Sequence, residues 1–161
     1  MAPPVFAVLD ANDGLPFGPW GFPLFFLSLW AFISLILSFV GGWMSLAKAY
    51  PHQGQATGKL FRFRSASLRW GTTYNHCLTF GVSQSGLYVA QFFPFRLFHH
   101  ALFIPWHDIQ SRPFNQWFFS GVELVTNGMP AFPIRISTTL AWELSSESNH
   151  GFELKSAALG L

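Results

Sequence analysis

Charge is what this 161-residue sequence has least of. Only 10% of its residues are Asp, Glu, Lys or Arg, against roughly 25% in ordinary soluble domains. Half of the residues are hydrophobic, which excludes a disordered chain, and the length suits one domain with an appendage. Nine basic against seven acidic residues leave no electrostatic footprint for nucleic acid. A single cysteine, Cys77, excludes an intramolecular disulfide framework and any cysteine-rich zinc site. Internal repeats and low-complexity tracts are missing as well. What is present in excess is aromatic: 20 Phe and 7 Trp residues.

The apolar residues are not spread evenly. From Leu24 to Ala47 there are 24 consecutive positions without a charge. As a helix rising about 1.5 Å per residue these would extend roughly 36 Å, enough to cross a hydrocarbon core of about 30 Å. Pro23 precedes the run, Trp20 and Trp43 sit near its ends, and Lys48 follows within reach of headgroups, as interfacial anchors do. A buried helix of a soluble protein is rarely so long and so uniformly apolar. The run predicts a transmembrane helix over 24–47. A cleaved signal peptide would begin with basic residues, whereas the first here is Lys48. Asp10 and Asp13 precede the span, while Lys48, Lys59, Arg62, Arg64 and Arg69 follow it without an intervening acid. The positive-inside rule then places the N-terminus outside and the C-terminal domain in the cytoplasm. Ser28, Ala31, Ser34, Ser38, Gly41, Gly42 and Ser45 recur at steps of three and four, a small-residue stripe along which a second helix could pack closely.

The segments around the span read differently. Residues 1–23 carry five prolines, a density that no helix or ladder survives, and form an extracytoplasmic tail. Residues 48–58 form a polar linker. Strand periodicity then predicts strands at 59–69, 75–83, 86–93, 101–110, 114–120, 121–126 and 132–137. Leu140, Ala141 and Leu144 predict a helix over 138–147, followed by a tail over 148–161. The fold class is α+β: one N-terminal transmembrane helix, then a seven-stranded, partly open β-barrel with a C-terminal helix.

That plan, together with VSQSGLYVAQFFPFRLFHHALFIPWHDIQS, resembles the pleckstrin-homology-like domains of bacteria. In those domains a Gly-Leu-Tyr strand precedes an Ile-Pro-Trp-x-Asp-Ile strand. The resemblance covers residues 59–147 and extends to the layout of small single-pass bacterial membrane proteins. It implies a PH-like domain on a membrane anchor in the bacterial inner membrane.

Candidate chemistry is thin. His52, His76, His99, His100, His107 and His150 show no metal-helix spacing, and the adjacent pair His99-His100 would face opposite ways on a strand. Cys77 reads as a small buried hydrophobe, and Glu123, Glu143, Glu147 and Glu153 show no paired acid–base spacing. No dinucleotide, Walker or nucleophile-elbow motif occurs. The span has no histidine for an axial ligand, so no cofactor is expected, and neither is catalysis. The basic cluster Lys48, Lys59, Arg62, Arg64 and Arg69 is accounted for by topology and could also face anionic headgroups, with Arg62 or Arg64 pairing inside the barrel. Between Gln91 and Trp106 the aromatics exceed what one small barrel can bury. Phe92, Phe93, Phe95, Arg96, Phe98, His99 and His100 therefore predict a loop against membrane or partner, bracketed by Pro94 and Pro105. The expected function is a non-enzymatic, membrane-anchored interaction protein. It would be an accessory subunit of a larger membrane complex, respiratory or photosynthetic in type, whose partners are membrane lipids and other subunits. The alternative is a tethered module that binds anionic lipid headgroups.

Overall fold

The computed structural model describes residues 18–52, 58–93, 95–116 and 119–148. Residues 1–17, 53–57, Pro94, 117–118 and 149–161, with His150 and Glu153 among the last, lie outside them. The chain divides into two units, Met1–Ile33 and Ser34–Leu161. The second contains the last two turns of the first helix and the whole of the sheet.

Helix α1 runs from Gly18 to Val40. It starts six residues before the span expected from Leu24 and holds Pro23 inside rather than ahead of it. Its stretch Trp20–Val40 is long and apolar enough to cross a membrane. The expectation of one continuous helix to Ala47 needs correction, because α1 stops at Val40 and a second helix, α2, covers Trp43–Ala49. Gly41 and Gly42 make the break. Gly42 has a left-handed φ of 77°, which costs an L side chain about 1–2 kcal/mol. A Cβ there would lie 2.0 Å from Cδ1 of Phe132. Once redirected, α2 buries Trp43, Leu46 and Ala47 in the core of the domain.

The strands are β1 (Lys59–Ser67), β2 (Thr73–Val82), β3 (Gly86–Gln91), β4 (Leu102–Pro105), β5 (Ile109–Gln116), β6 (Phe119–Thr126) and β7 (Ile134–Ser137). Helix α3 spans Thr138–Glu147. One antiparallel sheet holds all seven strands in the order β4-β3-β2-β1-β7-β6-β5, curled into a half-barrel. The number of strands and the terminal helix match the sequence reading; most strand ends shift by one or two residues, and two breaks shift further. The strand expected over 101–110 is divided by a 3-10 turn at Trp106–Asp108. The break expected between 120 and 121 falls instead between Gln116 and Phe119, the last pair of the β5–β6 ladder. Trp106 explains the first change. Its ring is buried and its Nε1 donates to the Ser83 carbonyl at 2.9 Å, so the chain turns there to seat the indole.

Alternation along the strands supplies the core: Leu78 and Phe80 from β2, Leu87 and Val89 from β3, Leu102 and Ile104 from β4. Val122 and Leu124 from β6, with Ile134 and Ile136 from β7, line the other half. Helix α3 closes it with Leu140, Ala141 and Leu144, at the spacing of one helical face. Its N-cap is Ser137, whose Oγ accepts from the Leu140 amide at 3.3 Å, satisfying one of the orphan donors of a helix start. Residues 50–52 lie along the outer edge of β4. The Phe103 amide donates to the Tyr50 carbonyl and the His52 amide to the Ala101 carbonyl.

Candidate functional site

The aromatic loop follows β3, where burial stops abruptly. Gln91 is enclosed, while Phe92, Phe93, Phe95, Leu97 and Phe98 are all exposed, Phe93 by 77%. Phe63 joins them from β1. It is 55% exposed and its ring centroid is 5.4 Å from that of Phe92. Sequence reasoning missed Phe63 because it lies in a regular-looking strand. The signal is conformational: Phe63 and His76 both have positive φ, at a place where the β1–β2 register shifts. Such bulges re-aim side chains, and here the His76 amide donates to Ser65 Oγ at 2.9 Å.

The loop is fastened from beneath. Its backbone bonds run from the Phe92 amide to the Cys77 carbonyl, from Phe95 to Phe92, and from His99 to Arg96. Ser38 Oγ donates to the Phe98 carbonyl at 2.7 Å, and Trp43 Nε1 donates to the His100 carbonyl at 2.8 Å. The end of α1 and the start of α2 thus hold the loop by its carbonyls.

His99 departs from the expectation of a contact-facing residue. It is 2% exposed, enclosed between Tyr74 and Trp43, with its ring edge-on to both. Nδ1 faces the Leu97 carbonyl at 3.1 Å and must donate there, which leaves Nε2 to accept from the Tyr74 hydroxyl at 3.3 Å. Burial pushes the imidazole below its ordinary value, against the opposing pull of the Leu97 and Phe95 carbonyls. Burial also raises the Tyr74 hydroxyl, with Cys77 adding to the effect. The Cys77 thiol is itself raised by burial, partly offset by a backbone hydrogen bond. Arg96 and His100, by contrast, are exposed.

The small-residue stripe divides. Ser28 is exposed and Ala31 half-buried. Ser34 and Ser38 are covered by the chain's own domain. Gly41 lies against Thr72 and Tyr74, and Gly42 against Phe132; Ser45 is half-buried. The closest-approach surface on the lower part of the stripe is therefore used internally. The basic cluster divides too. Lys59 pairs with Glu147 at 2.6 Å and Arg64 with Glu143 at 2.7 Å, while Arg69 lies over the Phe132 ring at 5.1 Å. Lys48 and Arg62 are exposed.

Several cavities open on the domain. One of about 480 Å³ has an apolar floor at Met44, Ala47 and Phe98, with Lys48, His52 and His100 around it. A second, of about 310 Å³, lies on the bulged part of β1 and β2 beside Arg64, Asn75 and His76. Another, of about 190 Å³, is lined by Ser34, Cys77, Gln91 and His99. Among the described residues no group of three or more His, Cys, Asp or Glu could hold a metal ion. His107 and Asp108 lie 3.8 Å apart on the surface. No protein-family model, curated protein or solved structure matches the chain.

Proposed function

We propose that this chain is a non-enzymatic, single-span protein of the bacterial inner membrane, with a PH-like half-barrel on the cytoplasmic side. There it serves as an interaction module, an accessory subunit beside a larger membrane assembly. The observation that carries the reading of an interaction module is the row of exposed apolar side chains at Phe92, Phe93, Phe95, Leu97 and Phe98, a surface for membrane or partner to cover. A monomer in water seldom leaves such a patch uncovered. The apolar stretch Trp20–Val40 supports the anchor, and the basic residues after it support the orientation. Seven antiparallel strands with a terminal helix support the PH-like description.

Gentle detergent extraction followed by size analysis tests the assembly. Co-migration with a particle much larger than 18.1 kDa plus micelle is expected, and migration alone would refute it. The groove beside Lys48 and His100 favours a second reading, a tethered module for anionic headgroups. Salt-sensitive binding of the small particle to anionic vesicles would then replace the first.

A further inference from the structure

We infer that the aromatic loop is a second membrane anchor, with Phe63, Phe92, Phe93, Phe95 and Phe98 resting in the bilayer boundary where α1 emerges. This rests on the proposal that α1 spans the membrane, and it makes lipid rather than protein the occupant of the exposed rings.

Position is the first argument. Trp20–Val40 has 21 residues, about 31 Å of helix, which matches a hydrocarbon thickness of about 30 Å and puts Val40 at its boundary. Ser38 precedes that point by two residues, roughly 3 Å along the axis, and its hydroxyl holds the Phe98 carbonyl. The loop is thus fixed at the depth where acyl chains meet headgroups.

Backbone chemistry is the second. Lipid-exposed irregular chain is not found inside hydrocarbon, where every backbone polar group must be satisfied, so the loop belongs at the boundary, where its internal bonding lowers the cost of contact. In this loop the amides of Phe92, Phe95 and His99 and the carbonyls of Phe98 and His100 all have partners inside the protein. The imidazole of His99 is turned inward onto Tyr74, which removes a polar ring from the contact surface.

Charge is the third. Between Asp13 and Asp108 the sequence has no acidic residue, while Lys48, Lys59, Arg62, Arg64, Arg69 and Arg96 all fall in that interval. Arg96 lies within the loop and can extend its guanidinium to phosphate depth with its stem among the rings. Lys59 and Arg64 are paired with Glu147 and Glu143, but the exposed Lys48, Arg62 and Arg96, together with the exposed aromatics, complement an anionic leaflet.

Cys77 is the only cysteine, so single-site labelling needs only a Cys77→Ser background. The full chain, reconstituted alone in phosphatidylethanolamine–phosphatidylglycerol vesicles, would carry a nitroxide at Phe93→Cys, at Phe32→Cys in α1, or at Gln84→Cys. Gln84 lies in the turn at the far end of the β2–β3 hairpin, about 20 Å along β3 from Phe92. Labels at 32 and 93 should be relaxed more by oxygen than by a water-soluble nickel chelate, with a ratio several-fold above that at 84. A label at 93 that behaves like that at 84, with 32 in lipid, overturns the second anchor and leaves the span standing. A label at 32 that meets the chelate freely overturns both. Should Phe93→Cys fold poorly, Phe95→Cys gives the same reading.

Discussion

Replacing Gly42 with alanine tests how α1 is joined to the sheet. The added Cβ would enter the Phe132 ring, 2.0 Å from Cδ1 and 2.3 Å from Cε1. That ring is partly buried and packed against the core, and the Arg69 guanidinium lies over it at 5.1 Å. Overpacking of this kind costs about 1–3 kcal/mol, and the left-handed φ adds about 1–2 kcal/mol for any L side chain. Together they predict a loss of about 2–5 kcal/mol, on the order of 10 °C in Tm for a domain of this size. The assay is thermal unfolding of the full chain in detergent, followed by near-ultraviolet circular dichroism of the tryptophans. Phe132→Ala separates the two causes. In that background Gly42→Ala should cost only the backbone share, so the double-mutant cycle should show about 1–3 kcal/mol of coupling. Additive effects, or an unchanged Tm for Gly42→Ala, would refute the account. They would return Gly42 to the role of a free surface for a second helix.

Tyr50→Phe should destabilise the chain by about 1–3 kcal/mol, because it strips partners from two groups at once. The Tyr50 hydroxyl accepts from the Gly128 amide at 2.9 Å and bonds Asp108 Oδ2 at 3.2 Å; a parental denaturation midpoint would show that water replaces both. His99 should make stability depend on pH. Burial lowers its folded value below the ordinary 6.5, so beneath that pH the unfolded chain takes up a proton that the folded chain refuses. Its contribution is fully present above about pH 6.5 and declines as pH falls toward the folded value. Tm should therefore drop between pH 7.5 and 5.5, and His99→Phe should shrink the drop; an identical drop in both would remove His99 as the cause.

The sheet was largely legible in the sequence, since alternation and turn residues are local. β1, β3 and α3 begin where the pattern starts them, and the half-barrel follows from seven strands in succession. The helix break was not legible, because two glycines barely alter the hydropathy of an apolar run. What makes Gly42 a hinge is the ring of Phe132, ninety residues away. The exposed rings at Phe92–Phe98 could be counted as a surplus, but the side that each residue faces could not. Reading His99 and His100 as strand neighbours misses the turn at Phe98, whose φ of 67° precedes the inward-facing His99. The internal use of Ser34 and Ser38 was equally hidden, because a helix stripe looks the same whether its partner is another chain or its own loop.

The strand order also bears on how the chain assembles as it is made. β1 to β4 form one meander of sequential neighbours and β5 to β7 another, and the two are joined by one register pair, Ser67↔Arg135. Local pairings form fast and distant ones slowly. The first meander, with the 50–52 segment along its β4 edge, can therefore assemble before β7 leaves the ribosome. The β1–β7 seam must wait for the last quarter of the chain. Until it closes, β1 is an open strand edge, which makes this seam the point of greatest exposure to mispairing during synthesis.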